Sequence, residues 1–148
     1  QTTPSPVEAG GRAGTRRIVG GLLGQWAVWT RRAVEMLDQI RALRAWSGAG
    51  EQVQAEPSSA TADEWLRRAA ALTEANATIY DATNRFAGCI PGIHEVLRRQ
   101  GLLRGTWCLD PSETLSPGQA EEIDRVIRQY PELTDDPWVA ERLDGWLA

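Results

Sequence analysis

Imidazole titrates near neutral pH, which makes the only histidine, His94, the first candidate for acid–base work. It lies inside a helical pattern just after Pro91, and no Asp, Cys or Ser is spaced to form a triad with it. It therefore reads as a surface or helix-packing histidine. Cys89 and Cys108 fit no CxxC or Cys/His ligand pattern, so they read as reduced, largely buried thiols, and no metal or cofactor is expected. Asp135-Asp136 suggests a carboxylate pair, but Pro137 follows at once, and the pair reads as a helix cap and its neighbour. All 16 basic residues are Arg, and there is no Lys. No side-chain amine is available to form a Schiff base, and Arg, always charged, does not replace one.

The aromatic and charged residues point to packing rather than to ligand binding. Trp29, Trp65, Trp138 and Trp146 fall on or beside inward stripes, which suits a core or an interface. The pairs Arg31-Arg32, Arg67-Arg68 and Arg98-Arg99 fall opposite those stripes, where solvent or a nearby Glu satisfies them. A net charge of −4 with no basic face argues against a nucleic-acid partner. At 148 residues and 42% apolar composition the chain has room for one domain with a modest core. No apolar run approaches the roughly 18 to 20 residues that span a bilayer, and residues 1–21 lack the apolar centre of a signal peptide, so a cytoplasmic location is expected. The chain begins with Gln1 and its one Met is Met36, which suggests a processed or cut product.

The elements that must position these residues are mostly helical. Residues 1–17 read as a flexible segment, and 18–24, an apolar run punctuated by glycines, as a buried parallel strand. Such a strand needs neighbours for its backbone, so further strands are expected upstream. From Thr30 a helix carries Ala33, Val34, Leu37, Ile40 and Leu43 on one stripe to about Trp46, and a polar linker follows over 48–60. Thr61 and Glu64 form a capping box for a long helix over 62–86, with Trp65, Ala69, Leu72, Asn76, Ile79, Tyr80, Thr83 and Phe86 on one side. Pro91 starts a helix with Ile93, Val96 and Leu97 inward and Gly101 as its left-handed end, onto which Leu102 and Leu103 fold back. Ser116-Pro117-Gly118-Gln119 opens another with Ile123, Val126, Ile127 and Tyr130 inward, and Asp136-Pro137 a last short one with Trp138, Leu143 and Trp146. The expectation is one strand followed by five helices.

Three segments, in this order, resemble the C-terminal part of the pyruvate-dependent class I aldolases, the family of dihydrodipicolinate synthase and N-acetylneuraminate lyase. They are Gly21–Trp26 running into 30–43, the long helix 62–86, and Ile90–Leu102. The last is similar to the family pattern Pro-x-Val-Lys-x-x-Leu-x-x-x-Gly-Leu, with His94 where a Lys is common, and Leu115-Ser116-Pro117 then opens a helix as in the family.

The resemblance implies the last strand and helix of a (β/α)8 TIM barrel over 18–47, joined to a C-terminal helical bundle over 61–148. The family's Schiff-base Lys, its Tyr and its threonine-containing loop lie on barrel strands that this chain does not contain. Carry-over is limited to Leu23 and Gln25, which would lie near the pyruvate pocket at the C-terminal end of the last strand. Gln25 and Trp26 are larger than the residues usual there, and 131–148 extends beyond the family's usual end. The implied parent is a lyase acting on pyruvate or another 2-keto acid and assembled as a homo-oligomer; this chain alone would be inactive. The alternative is a non-catalytic helical module for protein interaction or oligomerisation.

Overall fold

Glycines and prolines cut the sequence into short amphipathic segments, and helices form between them. The structure is a computed structural model that describes residues 24–48 and 59–148. After a 3-10 turn at Gln25–Ala27 come α1 (Thr30–Gly48), α2 (Ser59–Ile79), α3 (Cys89–Arg99), α4 (Gln119–Gln129), α5 (Asp136–Ala140) and α6 (Leu143–Leu147). The described residues are mainly helical and contain no strand. The expected strand, apart from Gly24, lies outside them, as do the segment 1–17 and residues 49–58 of the linker. Gly24 itself is a bend with φ +87°.

α2 lies chiefly against α4 and also meets α3. Ala71, Ala75 and Ile79 form its buried stripe, and they join Val96 of α3, Ile123 and Val126 of α4, and Val28, Trp29 and Leu133 in one core. Two alanines on the α2 side let the facing helix approach closely, and the branched residues opposite fill the space. Ile93, Leu97, Ile127 and Tyr130 pack around this core, as their spacing suggests. Gly101 is left-handed (φ +79°), and the N–H groups of Leu102 and Leu103 fold back to the Leu97 carbonyl.

Several expectations need correction. The long helix stops at Ile79, seven residues before Phe86, because Asp81 turns left-handed (φ 56°), as do Arg85 and Phe86. Thr83 and Phe86 are consequently exposed, and Ala69, within α2, is exposed as well. The reason is a polar hub: Asp81 Oδ2 accepts the Gly88 N–H at 2.9 Å and the Ser116 hydroxyl at 2.5 Å, and Oδ1 accepts from Asn84 at 2.7 Å. With its hydroxyl given to Asp81, Ser116 does not cap α4, which starts at Gln119 after a left-handed Gly118. Gln119 Oε1 nevertheless accepts the Ser116 N–H at 3.0 Å, the bond that the Gln of a capping box makes. Gln119 Nε2 then donates to the carbonyls of Gly88 and Ile79, tying three helix ends together.

On α1, Val34 is 52% exposed although it falls on the apolar stripe. The described contacts of α1 are mainly with the turns at 25–27 and 131–133, so little covers that position. The last helix divides into α5 and α6, which makes six helices among the described residues rather than five, and Trp146 at its end is half-exposed. None of the described helices is long and apolar enough to cross a membrane.

Candidate functional site

The two positions assigned to a substrate pocket are not brought into a described site. Leu23 lies outside the described residues, and Gln25 opens the 3-10 turn before α1. Among the described residues no group of three His, Cys, Asp or Glu is arranged to hold a metal ion.

Folding does bring His94 and Cys108 together, a pairing invisible in their spacing. His94 projects from α3 toward the loop that follows it, and its Nδ1 lies 3.8 Å from Cys108 Sγ. A nucleophilic cysteine needs a lowered pKa. Here desolvation pushes the Cys108 thiol up, and the charges of Glu113 and Asp110 push it further. Cys89 is raised by burial and by Glu113. Both thiols therefore stay protonated near neutral pH, which makes this a contact rather than a catalytic dyad.

Asp135 and Asp136 do not act as the cap and neighbour their sequence suggests. Asp135 precedes α5 without a side-chain cap bond to it. Its Oδ2 accepts the Arg31 backbone N–H at 3.1 Å, in the first turn of α1, and its Oδ1 accepts from Gln100 at 3.0 Å. Gln100 Nε2 donates also to Asp136 Oδ1 at 2.8 Å, so one amide holds both carboxylates. Arg32 Nε adds a bond of 2.9 Å to the Thr134 carbonyl, so the start of α1 is clamped to residues 134–135.

The clamp borders a cavity of about 500 Å³, the size of a small-molecule site. Val34, Leu97, Leu102 and Trp146 line its apolar side, and Gln100 and Asp135 its polar side. At its rim the Trp138 ring lies beneath the guanidinium carbons of Arg142 at 4.6 Å and Arg31 at 5.2 Å, and it meets Trp146 edge-on at 5.3 Å. Arg31 is held in turn by Glu35 at 2.7 Å, a carboxylate it shares with Arg32, also at 2.7 Å.

Trp29 also lines the cavity, and it is unusual twice over. It is a bulky residue with φ 53°, a conformation costing roughly 1–3 kcal/mol. It is also 2% exposed, and its indole Nε1–H has no hydrogen-bond partner. An unsatisfied buried donor costs about 1–3 kcal/mol. Its carbonyl accepts the N–H groups of Arg32 and Ala33, so Trp29 serves as the N-terminal cap of α1, a role unseen in the sequence because Trp is no usual cap.

The remaining arginines follow expectation in part. Arg68 pairs with Glu64 at 2.5 Å on the surface. Arg98 and Arg99 instead converge on Glu95, which is only 4% exposed, and Arg99 reaches across to Asp124 of α4. Arg98, first, and then Arg99 hold the Glu95 carboxyl below its usual range against the opposing effect of burial. Comparison with protein-family models, with curated proteins and with solved structures gives no match.

Proposed function

We propose that this chain is the C-terminal helical portion of a pyruvate-type Schiff-base lyase, contributing packing and assembly while the reactive amine comes from other sequence. The observation that carries the reading is the segment Ile90–Leu102. The positions that resemble the family pattern are those on which the helix depends: Pro91 is fully buried, Ile93 and Leu97 pack on the core, and Gly101 is left-handed. His94, where the family commonly has Lys, is a half-buried side chain beside Cys108, so the exchange leaves the packing positions intact. The absence of Lys is consistent with a chain that supplies no nucleophile.

The test is to isolate the native product with an antibody raised against this chain and to treat it with pyruvate and borohydride. A longer product with a reduced pyruvate adduct on a Lys outside these 148 residues is expected. A longer product without such an adduct, or a native product limited to this chain, would overturn the reading.

A second reading, a non-catalytic helical interaction module, is favoured by the exposure of Trp107 (75%) with Phe86, Ile90 and Leu109. Large apolar side chains left in water are candidates for a partner's contact. It expects the 148-residue chain to be monodisperse, to melt cooperatively and to self-associate or bind a partner through those side chains. Aggregation through exposed apolar faces would instead fit a portion separated from its barrel.

A further inference from the structure

We draw no further inference here: the strongest candidate, the apolar cavity between α1, α3 and the α5–α6 end beside Val34, Leu97, Leu102 and Trp146, carries nothing because nothing in the structure shows what covers it.

Discussion

The Asp135 carboxylate accepts the Arg31 backbone N–H across 104 residues of sequence, so a residue near the end of the chain caps the first turn of α1. A carboxylate at a helix N-terminus satisfies an otherwise orphaned donor and lies at the positive end of the helix dipole. Asp135 is 4% exposed, so its carboxylate has little water as a substitute.

Asp135→Ala should therefore destabilise the chain by about 2 kcal/mol, since it removes a cap and leaves the Arg31 N–H unpaired. In thermal unfolding that is a drop of roughly 4–8 °C for a chain of this size. Asp136→Ala, at a half-exposed position sharing the same Gln100 amide, should cost about 0.5 kcal/mol or less. Equal effects of the two substitutions would refute the cap.

Stability should also depend on pH through Glu95. Its folded-state pKa is lowered by Arg98 and Arg99, so the folded state holds the charged form more strongly than the unfolded chain does. The stabilisation is thus present above the unfolded glutamate value of about 4.3 and is lost as pH falls through the lower folded value. Asp81 acts in the same direction: burial would raise it, but hydrogen bonds from Ser116, Asn84 and Gly88 outweigh that and hold it below its ordinary value. Melting temperatures measured from pH 6 down to pH 3 should fall more steeply for the native sequence than for Glu95→Gln. Parallel curves would exclude a role for Glu95.

Helix positions were legible where apolar periodicity and punctuation agree. The α3 segment carries Pro91, three apolar residues at helical spacing and Gly101, and it formed as read. What escaped was decided by partners distant in sequence. Asp81 ends α2 because Ser116 and Gly88 converge on its carboxylate, and nothing in a run of helical residues announces that. Asp135, which reads as the neighbour of the Asp136 cap, instead caps another helix, since a capping signal fixes the chemistry of a carboxylate but not which N–H it meets. The cavity was illegible for a related reason: Trp29, Gln100 and Trp138 come from three separate segments.

Cysteine reactivity distinguishes a contact from a dyad at His94 and Cys108. With desolvation and acidic neighbours raising Cys108, and burial and Glu113 raising Cys89, less thiolate exists at pH 7.5 than in free cysteine. Iodoacetamide should therefore alkylate both residues more slowly than free cysteine, with rates still rising above pH 8.5, and His94→Ala should leave the Cys108 rate within about twofold. A rate above that of free cysteine, lost in His94→Ala, would reveal a working base.

Gly92 offers the sharpest test of how α3 seats on α2. A Cβ at this position would lie 1.9 Å from the Ile79 carbonyl oxygen and 2.7 Å from Gln119 Nε2, the amide that donates to that same carbonyl. Backbone cannot rotate aside as a side chain can, so Gly92→Ala must push the two helices apart and stretch the Gln119 bonds. A loss of about 3 kcal/mol is expected, at the upper end for overpacking. Gly145 of α6, where a Cβ would meet nothing within 4 Å, is the matched control. There Gly→Ala should leave stability unchanged or raise it by up to about 1 kcal/mol through helix propensity. Urea unfolding of the two variants separates these outcomes, and a neutral Gly92→Ala would mean that α3 does not rest on the end of α2 as described.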